Sequence, residues 1–311
     1  MNILVTGSAG FIGSQLCINL LERGDKIIGL DNLNDYYNID LKKARLERHL
    51  NHKNYSHYHV DISDKDALAK VFKDNNIDVV VNLAAQAGVR YSIENPDIYI
   101  QSNIVGFMNI LECCRHNMIS NLVYASSSSV YGANTTKPFS VHDNVDHPLS
   151  LYAASKKSNE LMAHTYSNLF DLSTTGLRFF TVYGPWGRPD MAPMIFAKNL
   201  ISKKPISVFN NGEMSRDFTY IDDIVEGTYL CSLKIPSENK NESDLFDKAP
   251  HKVFNIGFGK PVNLLEFISL LESALKVKAI KKYEPMQKGD VIKTYANIDK
   301  LKQWIKFEPK T

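Results

Sequence analysis

A chain of 311 residues with 44% hydrophobic and 23% charged residues has the composition of a globular protein of about two domains, not of a disordered or fibrous one. Its 36 basic and 34 acidic residues leave a net charge of +2, so no basic excess points to nucleic acid or to an anionic membrane. Any anion it binds must be held by a local site.

Residues 2–6 read as a short apolar strand. A helical pattern follows in Phe11, Ile12, Leu16, Ile18, Leu20 and Leu21, and Gly24 stops it. Strands are expected at 26–30, 55–60, 79–83 and 122–125, with helices at 41–50, 67–72 and 103–116. This alternation predicts an α/β fold, a Rossmann-type doubly wound parallel sheet. The second half changes texture. Proline-punctuated loops at 183–193 precede an apolar segment at 205–209, a helix near 222–233, a polar exposed loop at 237–247, a segment at 253–256 and a helix at Leu264–Leu275. The expected division is a first domain at 1–180 and a smaller C-terminal lobe at 181–311, with segments about 210–235 and 253–257 crossing back. No apolar run reaches the ~18 residues of a membrane span, and Gly7 comes too early for a signal peptide. The cysteines Cys17, Cys113, Cys114 and Cys231 form no Cys-x-x-Cys pair, so free buried thiols, no metal and a cytoplasmic protein are expected.

The first strand runs into Gly7-Ser8-Ala9-Gly10-Phe11-Ile12-Gly13. Gly7 permits a tight turn, Gly10 lets backbone approach a pyrophosphate, and Gly13 lets the helix pack close to the sheet. The amides that open the helix, at Gly10, Phe11 and Ile12, meet the phosphate charge. Asp31, with Asn32 beside it, ends the second strand. Its carboxylate can accept from both adenosine ribose hydroxyls and repels a 2′-phosphate, which predicts NAD rather than NADP. Asp61 and Ile62 follow the third strand, where they either meet the adenine edge or cap the next helix. Leu83, Ala84, Ala85 and Gln86 follow the fourth strand, and the small residues among them let backbone lie near the cofactor. Asn103 is assigned to the same site.

Tyr152 and Lys156 form a Tyr-x-x-x-Lys pair, which shares one face of a helix. A free phenol has a pKa near ~10, and a nearby ammonium and a positive nicotinamide ring both favour the phenolate. Ser126-Ser127-Ser128-Ser129 follows an apolar strand at the sheet edge where such folds bind ligands. With these residues in place, the chain resembles the extended short-chain dehydrogenase/reductase superfamily, the nucleotide-sugar epimerases and dehydratases, over nearly its whole length. The resemblance implies Ser127, Tyr152 and Lys156 as the catalytic triad, with Tyr152 as the acid/base. Lys156 would bind the nicotinamide ribose and tune Tyr152. Ser127, four residues before Tyr131, would bond the sugar oxygen. The first domain then binds NAD and the lobe a nucleotide sugar.

Dehydratases of the superfamily resemble one another in an Asp-Glu or Glu pair just before Val-Tyr-Gly, and its sugar-acid decarboxylases in a Glu there. Here those positions are Ser128 and Ser129. The segments 31–37, 86–92, 177–192 and 209–223 resemble the enzymes that epimerise UDP-glucuronate at C4. On that resemblance Ser127, Ser128, Ser129, Thr181 and Arg90 are the donors expected for the sugar carboxylate. Arg216, and less directly Arg188, would hold the diphosphate. Val208 and Phe209 would flank the uracil, and Asp290 would hold the ribose. Epimerisation of a neutral UDP-hexose (UDP-glucose or UDP-N-acetylglucosamine) and decarboxylation of UDP-glucuronate are the alternatives. Helices near 95–116 and 152–168 resemble a family dimer bundle, so a homodimer is expected. Family members usually continue into a further helix beyond Phe307-Glu308-Pro309-Lys310-Thr311, and a truncated C-terminus is the corresponding expectation.

Overall fold

The computed structural model describes residues 1–238, 248–287 and 289–311. Most of the loop expected at 237–247 therefore lies outside the described residues. Seven strands form one parallel sheet: β1 (Asn2–Thr6), β2 (Lys26–Asp31), β3 (Tyr55–His59), β4 (Val79–Asn82), β5 (Asn121–Ser127), β6 (Thr174–Phe179) and β10 (His251–Ile256). Their spatial order is β10-β6-β5-β4-β1-β2-β3. The order reverses beside β1 and β4, which opens a crevice at their carboxyl ends.

Successive strand residues point to opposite faces, and both faces are covered. Ile3, Val5, Val79 and Val81 join Leu16 and Leu20 of α1 (Phe11–Glu22) and Ile224 of α9 (Ile221–Leu233) in one core. Leu4, Val80, Leu122 and Tyr124 join a second core on the other face. That core includes Leu68 of α3 (Lys65–Asp74), Ile110 of α6 (Gly106–His116) and Ala163 of α7 (Leu151–Phe170). Strands buried on both faces read as unbroken apolar runs. That is why 79–83 is legible and the charge-bearing β6 is not.

Two elements differ from expectation for local reasons. The charged stretch at 41–50 is helical only over α2 (Ile39–Glu47), where the Asn38 side chain accepts from Asp40 N. The helix expected at 103–116 is helical throughout, but it is π-helical over Ile100–Val105 and becomes an α-helix only at Gly106. The chain leaves the large sheet after Phe179. β7 (Thr181–Tyr183) starts a second sheet with β9 (Ser215–Tyr220) and β11 (Pro261–Asn263). β8 (Ile206–Phe209) pairs with β12 (Lys281–Glu284). Helices α8 (Ala192–Ile201) and α10 (Leu264–Leu275) close this lobe over Phe196, Leu200, Ile206, Val208 and Ile268. Among the described residues all four cysteines are free and buried, and no helix is long and apolar enough to cross a membrane.

Candidate active site

A single cavity of about 890 Å³ runs from the β1–α1 turn to the smaller lobe. At one end Gly7 adopts φ +71° and its carbonyl accepts from Gly10 N at 2.9 Å. A Cβ on Gly13 would lie 2.0 Å from that carbonyl, so only glycine allows this approach. The first turn of α1 has no side-chain cap, which leaves its amides free for an anion. Asp31 is buried, and accepts from Ala9 N at 3.0 Å and Leu33 N at 2.8 Å. Two further lone-pair directions remain on its carboxylate. This cradle, open amides beside an acid, fits a dinucleotide.

Asp61 lines the same end. Burial opposes its charge, but Ser63 donates to it twice and Asn32 once, at 2.7–2.8 Å, which holds its carboxyl below the usual range. Of the two readings open for Asp61, the cap of α3 falls to Asp64, which accepts from Ala67 N. Phe11, Ile12, Asn32, Ile62, Leu83, Ala84, Ala85 and Gln86 also line the cavity. Asn103 is not among the lining residues. Its side chain accepts from Gln86 N at 2.8 Å and donates to Gln86 O and Ser155 Oγ at 3.0 Å, so it braces the loop behind the cavity wall.

At mid-cavity stand Ser127, Ser128, Ser129, Tyr152, Lys156, Thr181 and Arg188. Ser150 caps α7 by accepting from Ala153 N, which starts the helix where Tyr152 and Lys156 share a face. Ser127 ends β5. Its hydroxyl accepts from Ser129 N at 3.1 Å and donates to Ser129 Oγ at 3.2 Å, turning the serine run into the cavity. Burial raises the Tyr152 phenol, while the Ser127 hydroxyl and the Arg188 guanidinium pull it down. Lys156 follows Tyr152 by one helical turn. Its ammonium donates to Ala125 O at 2.8 Å, and burial lowers it to about 8.

At the far end Arg216 donates to Asp290 Oδ1 at 2.7 Å and to the carbonyls of Ser215 and Ile292. Arg90, expected with the serines, is placed instead at this end. It lies 3.7 Å from Asp290 Oδ2 and 5.4 Å above the Phe209 ring. Val208 does not reach the cavity; it is wholly buried in the lobe core, and Ser207 and Phe209 line the wall in its place. Alternation along β8 carries the signal that separates Phe209 from Val208.

Sequence reasoning missed Lys42, Tyr36 and Asp190, which line the cavity. Lys42 donates to the carbonyl and side-chain oxygens of Asn34. Burial lowers its ammonium while Asp31 supports it. Tyr36 donates to Asp190 Oδ2 at 3.0 Å, and Asp190 pairs with Arg188. The spacing of Lys42 to Arg45 on one face of α2 was a readable signal.

The sequence profile of the NAD dependent epimerase/dehydratase family matches residues 3–257. Over its whole length the chain is 58% identical to Protein CapI of Staphylococcus aureus, of which it covers 94%. It is 48% identical to UDP-glucuronate 4-epimerase 4 of Arabidopsis thaliana, over all of this chain and 72% of that one. Its fold matches a crystal structure of UDP-glucuronic acid 4-epimerase from Bacillus cereus in complex with UDP-glucuronic acid and NAD. The TM-score is 0.89 at 34% identity, covering 100% of this chain and 95% of that one.

Proposed function

This chain belongs to the NAD dependent epimerase/dehydratase family, and from that premise we infer that it epimerises UDP-glucuronate at C4 to UDP-galacturonate with NAD as cofactor. The observation that carries this reading is one continuous cavity. It joins the glycine cradle, the Ser127–Tyr152–Lys156 group and the Arg216–Asp290–Phe209 end, with serines and no carboxylic acids at positions 128 and 129.

NAD, held by the Gly7–Gly13 turn, Asp31 and Lys156, would supply the hydride acceptor and donor at C4 and a positive ring near Tyr152. Tyr152 takes the proton of the C4 hydroxyl while the Ser127 hydroxyl bonds the same oxygen. Arg188 and Ser127 oppose the burial that disfavours the phenolate. The 4-keto sugar then turns about its diphosphate linkage, which Arg216 holds with charge-assisted bonds. Tyr152 returns its proton once the opposite face of C4 is presented. Ser128, Ser129 and Thr181 hold the sugar carboxylate. A 4-keto-glucuronate is a β-keto acid, and donors that localise charge on its carboxylate oppose loss of CO₂.

Residues 1–180 bind NAD and 181–311 mainly the UDP-sugar in this reading. The protein works as a cytoplasmic homodimer. The exposed apolar side chains of Ile100 and Met108 before and within α6, and of Leu161 and Leu169 on α7, support a helical dimer interface. Four buried free thiols suit a reducing compartment.

Proton NMR of the protein with UDP-glucuronate and NAD tests the reaction. Growth of a UDP-galacturonate anomeric signal without net NADH is expected. A UDP-pentose product would overturn the reading in favour of decarboxylation, and an unchanged spectrum would overturn it in favour of a neutral hexose. A Ser128→Ala, Thr181→Ala variant should release more CO₂ than its parent; equal release refutes the role given to these hydroxyls.

A further inference from the structure

Among the described residues the largest side chain wholly shielded from solvent is a cation that the mechanism above does not use. Arg45 lies on α2 with 0% exposure. Among the described residues its guanidinium reaches only neutral oxygens. Nε and Nη2 donate to Trp186 O at 3.0 and 2.7 Å, Nη2 also to Gly187 O at 3.1 Å, and Nη1 to the Tyr37 hydroxyl at 2.6 Å. Its own carbonyl accepts from Ser14 Oγ at 3.1 Å, one residue beyond Gly13. A buried cation without a carboxylate is costly. Only a rigid planar fork spans two consecutive carbonyls and a phenol at once, which a lysine cannot do.

What the fork grips explains its presence. Trp186 has φ +63°, a left-handed conformation that a bulky side chain adopts only when its surroundings impose it. The gripped carbonyls belong to Trp186 and Gly187, and the next residue is Arg188. Arg188 enters the cavity, pairs with Asp190 and bears on Tyr152. Asp190 in turn accepts from Tyr36, one residue before the Tyr37 that Arg45 holds. The turn at 184–190 and the loop at 34–37 are thus joined twice, once in the protein interior and once at the cavity wall.

We propose that Arg45 is a positioning residue for the epimerase reaction: by fixing the strained turn at Trp186 and Gly187 it holds Arg188 in the cavity beside Tyr152. This rests on the reading of Tyr152 as the acid/base. The groups facing Tyr152 are Ser127 from β5, Arg188 from the turn, the Tyr99 ring at 6.1 Å and Lys156 on its own helix. Arg188 faces Asp190, Tyr36 and Tyr152. Arg45 has Tyr37, Lys42 and Arg48 around it. Arg188 is the cation outside α7 that favours the phenolate, so a slack turn weakens that support.

The test compares Arg45→Met and Arg45→Lys with the parent in kcat, KM and the pH profile of kcat. Trp186 emission is read separately in a Trp304→Phe background, where it is the sole indole. In Arg45→Met, kcat falls about 10- to 100-fold, the scale of a small misplacement near the chemistry, with a smaller change in KM. The acid limb of kcat moves up by about one pH unit, and Trp186 emission shifts. Arg45→Lys lies between. A lower melting temperature with an unmoved acid limb and parent-like kcat would overturn the proposal, because Arg45 would then serve stability alone. Failure of both variants to fold would overturn it in the same way. A parent that does not epimerise UDP-glucuronate counts against the proposed function instead, and the Trp186 emission still decides whether Arg45 holds the turn.

Discussion

Replacing Glu160 by glutamine should cost more stability than any surface change in this chain. Glu160 lies one helical turn beyond Lys156 on α7 and is 4% exposed. Its carboxylate accepts from Arg178 Nε and Nη2, both at 2.8 Å, and from Ser126 Oγ at 2.6 Å. Arg178 is equally buried, and its Cα lies opposite Ser126 across β5 and β6. Glu160→Gln removes the anion and turns an amide donor towards a guanidinium donor. The cation left behind is buried and uncompensated, which costs about 3–5 kcal/mol. That is a large part of a total of roughly 5–15 kcal/mol. At about 2 °C per kcal/mol for a long chain, melting should fall by roughly 6–10 °C. Urea unfolding followed by circular dichroism gives the free energy directly. The double variant Glu160→Leu, Arg178→Met removes both charges and should be less unstable than Glu160→Gln. A single variant within about 1 kcal/mol of the parent, or a double variant as unstable as the sum of its parts, refutes the reasoning.

Three other outcomes follow from the geometry. Gly13→Ala places a Cβ 2.0 Å from Gly7 O and 2.8 Å from Gly7 C, so the purified variant should retain no NAD; a parent-like nucleotide content after denaturation and chromatography would contradict the cradle. Arg216→Ala removes the cation paired with Asp290 and should weaken UDP binding by roughly 10- to 100-fold, the worth of a charged hydrogen bond, and an unchanged Kd by calorimetry would place the diphosphate elsewhere. His49 is 4% exposed, and burial lowers its imidazole to about 4, against about 6.5 in an unfolded chain. The unfolded chain binds a proton that the fold refuses, so stability is whole above about pH 6.5 and falls towards pH 4, by up to about 3 kcal/mol from this group. His49→Phe should flatten that loss in urea unfolding series, and parallel curves for parent and variant would exclude His49 as its source.

The elements that were legible in the sequence are those whose burial is matched by apolar side chains or by a fixed glycine spacing. Residues 79–81 are three buried valines, and the glycine turn before α1 has fixed spacing, so both could be read without partners. β6 could not, because Arg178 is its penultimate residue and is neutralised by a residue on another element. α2 reads as a solvated charged helix, yet Lys42 and Arg45 are its buried residues along with Leu46. Their burial depends on loops at 34–37 and 184–190 that no local pattern brings together. Asn103 and Val208 show the converse: residue type suggested a ligand contact, and orientation directs each side chain into the protein instead.

The contribution of β10 bears on how the chain is made. β6 is buried at all six positions, and β10 pairs along its whole length from residues 251–256. Until those residues leave the ribosome, a nascent chain with its first 180 residues complete carries β6 as an open edge, with unpaired backbone groups of the kind that recruit other strands. At about 5–20 residues per second, the wait from residue 180 to residue 256 lasts roughly 4–15 seconds. The lobes therefore do not mature in succession: the nucleotide sheet closes only after most of the second lobe has been synthesised, and a gene cut at residue 180 would encode an unfinished sheet rather than a separable module.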